Sequence, residues 1–260
     1  MKIATWNVNS INIRKESFLK WLAQTKPDVV LLQEIKCIDE AFPKTEVEEL
    51  GYNLGVHGLK GYSGVAVLSL FPIDECSTSF DGDPVPNESR YLECVISVPH
   101  KAIRIASVYV PNGGEMEDTR YKHKLKFLEA LHEHMKTLLK LDEIVLIGGD
   151  FNVAPEEIDT YSVEASKGTA FFDIEVRKRF RALLNLGYCD SFRALHPNTS
   201  QFTWWDYRGA SWYHNRGLRL DYILLSPEAA DLLQDVQVDS KLRESVRPSD
   251  HAPVVCEIKL

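Results

Sequence analysis

The chain has no C-x-x-C pair, and its five cysteines, Cys37, Cys76, Cys94, Cys189 and Cys256, are widely spaced along it. That spacing supports neither a zinc site nor a disulfide framework, and Cys94 and Cys256, in apolar runs, read as small core residues. No apolar run approaches the length needed to cross a bilayer, and Met1-Lys2-Ile3-Ala4-Thr5 carries no signal-peptide stretch. A cytoplasmic protein with no membrane partner is expected. No Pro-, Gly- or Ser-rich linker and no low-complexity tract interrupts the 260 residues, which predicts one domain spanning 1–260. An excess of positive charge is also missing. A net charge of −8 argues against nonspecific coating of nucleic acid, whose affinity comes from neutralising phosphates, but is compatible with an enzyme that holds cations on carboxylates. The basic runs present are Lys122-His123-Lys124 with Lys126, Arg177-Lys178-Arg179 with Arg181, and Arg216 with Arg219; they read as solvated faces.

What remains fits a globular protein, since 44% hydrophobic and 26% charged residues suffice to enclose a substantial core. Strand-like runs at 2–7, 28–34, 64–70, 91–98, 102–110, 144–149, 220–225 and 253–259 alternate with helical patterns, which predicts an α/β fold. Helices are expected from Arg14 to Thr25, before Lys26-Pro27, and from Glu117 to Lys140, with Tyr121, Leu125, Leu128, His132, Met135 and Leu139 on one stripe. His132 reads as a partly buried helix residue. A third helix, Phe172 to Leu186, stops at Gly187. The runs 64–70, 91–98 and 102–110 are joined by short connections, so part of the sheet should be antiparallel. Both ends of the chain show a strand, a polar strand end and then a helix or turn, which suggests two sheets packed face to face with helices outside.

The polar strand ends carry the chemistry. Gly148-Gly149-Asp150-Phe151-Asn152 closes the apolar run Ile144-Val145-Leu146-Ile147. Alternate side chains of a strand share a face, so Asp150 and Asn152 can address one spot while Phe151 points away. The pattern recurs in Trp6-Asn7-Val8-Asn9, in Gln33-Glu34 after Val29-Val30-Leu31-Leu32, and in Ser249-Asp250-His251 before Pro253-Val254-Val255. Oxygen-rich groups with one imidazole suit a hard divalent cation and a phosphoryl oxygen. Glu34, emerging from a buried strand, is a natural cation ligand because the cation compensates its desolvation; Asn9 and Asp250 could complete the oxygen shell. Asp221, in Arg219-Leu220-Asp221-Tyr222, could orient His251 and raise its basicity, and Asp150 could activate a water. No G-x-S-x-G competes for the nucleophile role.

These residues resemble the exonuclease III and abasic-site endonuclease family, within the endonuclease/exonuclease/phosphatase superfamily of DNase I-like folds. Six segments fall in the family's order: Thr5–Asn9, Pro27–Glu34, Val108–Gly113, Gly149–Asn152, Arg219–Tyr222 and Ser249–Pro253. The resemblance implies a four-layer α/β/β/α sandwich of two mixed sheets. It implies a hydrolase of DNA base excision repair that cuts 5′ to abasic sites and trims 3′ ends of double-stranded DNA, acting as a monomer. Its cofactor would be one or two magnesium ions, with manganese as a substitute. Carried over, Glu34 is the principal metal ligand, with Asn9 and Asp250 nearby and Asn7, Asp150 and Asn152 able to share the ion. Asp150 positions or deprotonates water, Asn7 and Asn152 organise the phosphate, Tyr109 lies near the scissile bond, and Asp221 orients His251. Tyr62, in the Gly58–Gly64 loop, and Arg90 and Asn112 match DNA-contacting positions. Trp204, Leu218 and Leu220 resemble the walls of an apolar slot that admits a baseless sugar and rejects a nucleotide on size. Asn9 stands where some relatives carry Asp, and 155–172 is shorter than in several family members. Two alternatives remain open: a phosphatase or phospholipase of the superfamily, and a catalytically idle DNA-binding scaffold. Loss of Glu34, Asp150 or His251 would mark the idle form, and all three are present.

Overall fold

The long apolar runs become the inner strands of two sheets in a computed structural model that describes residues 1–260. In chain order the strands are β1 (Lys2–Asn7), β2 (Val29–Gln33), β3 (Asn53–His57), β4 (Val65–Ser69), β5 (Ile73–Ser77), β6 (Tyr91–Val98) and β7 (Lys101–Tyr109). They continue with β8 (Val145–Asp150), β9 (Cys189–Asp190), β10 (Trp204–Trp205), β11 (Gly217–Leu218), β12 (Asp221–Leu225), β13 (Leu233–Val238) and β14 (Val254–Ile258). One six-stranded sheet has the order β13-β14-β1-β2-β4-β3 and the other β5-β6-β7-β8-β12-β9; β10 and β11 form a small ribbon. Each large sheet is mixed, with a parallel pair near its middle, β1 with β2 and β7 with β8, and antiparallel neighbours elsewhere.

That topology positions the site. Parallel neighbours end on the same edge, so Asn7 pairs with Gln33 and Tyr109 with Asp150 in register. Antiparallel β12 begins where β8 ends, placing Asp221 opposite Asp150, and β14 begins opposite Thr5, two residues before the end of β1, so the segment just before it runs past that end. Groups from six strand ends therefore share one rim, the carboxyl-end location where open α/β sheets usually bind ligands.

Three apolar layers hold the sandwich. Ile3, Val29, Leu31, Val65 and Val67 of the first sheet meet Ile105, Leu146 and Ile223 of the second. The sheets close tightly at Gly148, where a Cβ would lie 2.6 Å from Leu31 Cδ1. Outside the first sheet, helix Ile11–Thr25 packs Phe18, Trp21 and Leu22 on Trp6 and Val30. Outside the second, helices Thr119–Leu138 and Ile174–Asn185 cover Val108, Ile147, Phe151 and Tyr222. These are the four layers expected. No helix is long and apolar enough to cross a membrane.

The two helices on the second sheet begin at side-chain caps: Asp118 accepts from Arg120 N and Asp173 from Glu175 N, which satisfies amides that have no partner within the helix. Strands β3, β5 and β13 have no counterpart among the predicted runs. All three are edge strands, with a solvated face and Gly55 or acidic residues breaking the apolar pattern. Distance along the chain also misleads for two cysteines. The β5–β6 register sets Cys76 opposite Cys94, with the sulfurs 2.7 Å apart, although both are free thiols. Two of the basic residues read as solvated are buried: Lys124 is 0% exposed and Arg219 1%. Arg219 bonds Asp159 and Asp190, each at 2.7 Å, and so braces the segment leading into Asp221.

Gly149 is the backbone position on which the rim depends most. Its φ of 158° lies at the edge of the range L-residues avoid, and a Cβ there would sit 1.9 Å from Val108 O on the neighbouring strand. Relief requires shifting β8 away from β7. Gly149→Ala is expected to cost about 3 kcal/mol or more, lowering Tm by on the order of 5–10 °C; thermal unfolding of the purified variant checks this.

Candidate active site

Asn7 links the two sheets at the rim. Its Nδ2 donates to Glu34 Oε1 at 2.8 Å and to Asp150 Oδ2 at 2.9 Å. On the other side of Asp150, His251 Nε2 lies 3.7 Å from the same Oδ2, while His251 Nδ1 is 2.8 Å from Asp221 Oδ2. One donor atom each from Glu34, Asp150 and His251 fall within 4.8 Å of one another. The set of two carboxylates, an imidazole and an amide suits a hard divalent cation. Asp221 Oδ1, beside it, is buried with no hydrogen-bond partner.

The backbone is contorted to aim these groups. Asn9, Glu34 and Asn152 follow their strands with φ of 45°, 49° and 53°, in the left-handed region that costs L-residues roughly 1 kcal/mol or more and that clusters at functional sites. Asn152 is secured twice: its amide donates to Asp150 Oδ1 and its Nδ2 to Val110 O, each at 2.9 Å. Phe151 between them turns into the outer core, as strand alternation predicts. His251 is held by Trp6 Nε1, which donates to its carbonyl at 3.2 Å, and by Ser249 Oγ, which accepts from its amide and donates to Asn7 O at 2.7 Å. Thr203 Oγ1 accepts from the amides of Leu220 and Asp221, fixing the start of β12.

Electrostatics separate the roles of the acids. Burial pushes the Asp150 carboxyl up to about 7; His251 opposes the shift and Asp221 adds to it. Burial lowers the affinity of His251 for a proton, yet Asp221 and then Asp150 overcome it and raise the imidazole to about 10. Glu34 is also penalised by burial, but Lys36, at 2.7 Å from Oε2, and Asn7 bring it below the ordinary range. Tyr109 is buried beside Glu34, and its phenol is pushed well above its usual value by burial first and then by that charge.

The remaining predicted residues divide into groups. Asp250 accepts with both carboxylate oxygens, from Asn9 Nδ2 at 2.8 Å and from Trp204 Nε1 at 3.0 Å. Asn9 Oδ1 accepts from Lys36 Nζ and its backbone amide donates to Asn7 Oδ1, so Asn9 is linked to Glu34 through both Lys36 and Asn7. Arg90 is 2% exposed and is not a free phosphate contact: it bonds Glu88 and Tyr109 O and lies between the rings of Tyr62 and Tyr109. Tyr62 is exposed at 47%. Tyr62, Arg90, Tyr109, Asn112, Arg120 and His123 line a cavity of about 350 Å³ beside the cluster. Leu218 and Leu220 are buried under Phe171 and Trp204, whose ring centroids are 5.9 Å apart. Sequence reasoning gave no role to Lys36, Thr203, Ser249 or Lys124. A cation two residues past Glu34 and a serine at the head of the Ser-Asp-His triplet were the available signals for Lys36 and Ser249.

The fold and this rim define a member of the Endonuclease/Exonuclease/phosphatase family, whose family model matches residues 4–251. The chain belongs to that family. Within it, the chain is 32% identical over 267 residues to Exodeoxyribonuclease III of Haemophilus influenzae, covering all of both proteins. It superposes at a TM-score of 0.95 on an AP endonuclease from Archaeoglobus fulgidus at 34% identity, covering the whole of each chain. A 3′ phosphatase from Neisseria, bound to a product DNA hairpin, matches equally well at TM-score 0.95 and 35% identity, again over both full chains.

The His251–Asp221 bond provides a direct check. With the folded pKa raised, the metal-free protein gains stability from this pair that is complete below about pH 6.5 and is lost as pH rises through about 10. Asp221→Asn removes the charge that overcomes burial, so the His251 titration should fall toward or below the ordinary imidazole range. Imidazole NMR shifts followed against pH in metal-free protein measure this; an unchanged midpoint would contradict the assigned cause.

Proposed function

We propose that this chain is a divalent-cation-dependent nuclease of double-stranded DNA that removes nucleotides and blocking groups from 3′ ends and hydrolyses the phosphodiester 5′ to abasic sites. The carrying observation is the convergence of Asn7, Asn152 and His251 on a single buried Asp150, with Glu34 at hydrogen-bond distance from Asn7. The names of the three similar proteins, an exodeoxyribonuclease, an AP endonuclease and a DNA-bound 3′ phosphatase, support the same substrate class. Glu34 and Asp150 would hold magnesium, or manganese in its place, and such an ion offsets phosphoryl charge and acidifies water when bound.

The protein's own groups account for the rest. Asp150, with its carboxyl near 7, has the basicity to take a proton from water near neutral pH. His251 keeps its proton over that range, so with Nδ1 committed to Asp221, Nε2–H is a donor for a phosphoryl oxygen. The carboxamides of Asn7 and Asn152 are further donors whose geometry is set before substrate arrives. Asp150→Asn is expected to lower turnover of an end-labelled duplex by about 10² or more, and chelation to abolish it. Near-full cleavage by the variant, or chelator-insensitive turnover, would overturn the assignment. Hydrolysis of a phosphoinositide or sphingomyelin at a rate matching the duplex would move the substrate class to lipid.

Between the two DNA activities, one contact favours 3′-end processing. The slot predicted from Trp204, Leu218 and Leu220 is filled from within: Phe171 lies against Trp204, and the two leucines are 6% and 1% exposed. An abasic sugar entering there must displace the Phe171 ring, whereas a 3′-terminal phosphate need only reach Asp150 and His251. Phe171→Ala should therefore raise incision of an abasic duplex relative to removal of a 3′-phosphate by about tenfold, equivalent to roughly 1.4 kcal/mol. Comparing the two rates on matched oligonucleotides decides it; an unchanged ratio would remove Phe171 from substrate selection.

A further inference from the structure

Lys124 sits in helix Thr119–Leu138 among basic neighbours, yet it is 0% exposed. Its Nζ donates to Asn152 O at 2.5 Å and to Asn112 O at 3.1 Å. Both partners are neutral carbonyls, and the side chain runs against Gly113, where a Cβ would come within 2.9 Å of Lys124 Cδ. An ammonium buried without a carboxylate partner is costly; burial brings its pKa down to about 7, with Asp150 and then Asp173 the charges that oppose the fall. A methionine or leucine would fill the same space without that penalty, so the amine has a function other than packing.

The two carbonyls show what that function is. Asn112 lies in the turn leaving β7, three residues past Tyr109, and Asn152 lies in the turn leaving β8, two past Asp150. The same turns are tied once more by Asn152 Nδ2 donating to Val110 O at 2.9 Å. A single amine head thus fixes the Asn152–Val153 peptide plane just past the left-handed φ of 53° at Asn152, and with it the aim of the Asn152 carboxamide beside Asp150. We propose that Lys124 is a positioning residue for the hydrolytic step, clamping the β7 and β8 exits so that Asn152 meets the phosphate while Asp150 meets the water. This rests on the reading of Asn152 and Asp150 as reacting groups.

A double-mutant cycle tests it with steady-state kinetics on a 3′-phosphate duplex. Lys124→Met, which keeps the packing, should lower kcat by about 10² with KM within threefold of the parent. Lys124→Gln, which retains an uncharged NH2 donor on a shorter stem and serves if the Met form does not fold, should lie between the two. In an Asn152→Ala background the same Lys124 changes should cost less than threefold, because the group they aim is gone. A Lys124→Met enzyme within threefold of parent, Gln and Met forms equally impaired, or equal losses in both backgrounds would overturn the proposal. Full activity in Asn152→Ala alone would instead sink the reading of the site on which it rests.

Discussion

The site depends on keeping Asp150 buried and ionisable while Glu34 and Asp221 stand close by. Carboxylates in such proximity repel, and burial penalises each of them. The fold answers with fixed donors and not with solvent: Asn7 spans Glu34 and Asp150, Asn152 returns two hydrogen bonds to Asp150, and His251 carries a positive charge between Asp150 and Asp221. The compensation is incomplete. Asp150 remains well above the ordinary carboxylate range and Asp221 Oδ1 has no partner, so the cluster retains an affinity for further positive charge. That residual affinity is what a cation-binding phosphodiesterase site requires, and a chain optimised for stability alone would lack it.

The topology makes this convergence possible. Parallel pairs at the centre of each sheet deliver two strand ends apiece, and antiparallel β12 and the segment before β14 deliver Asp221 and His251 to the same rim. Because the strands themselves are fully buried, their ends are rigid, and placement is finished by local devices: left-handed residues at Asn9, Glu34 and Asn152, and the Ser249 and Thr203 hydroxyls that fix backbone amides. Small rotations in these turns would move a reacting atom by more than a hydrogen bond tolerates.

Much of this was legible in the sequence because central strands are apolar on both faces and stop abruptly at polar residues. Asn7, Glu34, Asp150, Asn152 and His251 announce themselves as polar groups at the ends of buried runs. Edge strands do not, since a solvated face blurs their pattern, and β3, β5 and β13 went unseen. Partnership is harder still to read. Arg90, Arg219 and Lys124 look like surface cations in one dimension, and only three-dimensional packing shows Arg219 between two aspartates and Lys124 beneath two carbonyls. Asp250 likewise shows its partners only in three dimensions, where its oxygens accept from Asn9 and Trp204.

An acidic chain that acts on a polyanion has to attract it locally. Several of its cations are spent internally, Arg219 on Asp159 and Asp190, Arg90 on Glu88 and two tyrosines, Lys124 on backbone carbonyls. Arg120, which also pairs with Asp118 at 2.6 Å, and His123 line the cavity beside the acidic cluster. Lys124 also reaches the apolar residues beside the site, its Nζ lying 5.4 Å from the centre of the Phe171 ring that packs with Leu218, Leu220 and Trp204. The ammonium favours that ring face through a cation–π interaction. On the positioning role proposed for Lys124, the amine that aims Asn152 also contacts Phe171, so displacing Phe171 to admit a baseless sugar would disturb the support of Asn152 and Asp150. Under that proposal, slot closure and site geometry are coupled through one side chain, and a substrate whose reacting phosphate lies at a chain end is the one this arrangement would accommodate without rearrangement.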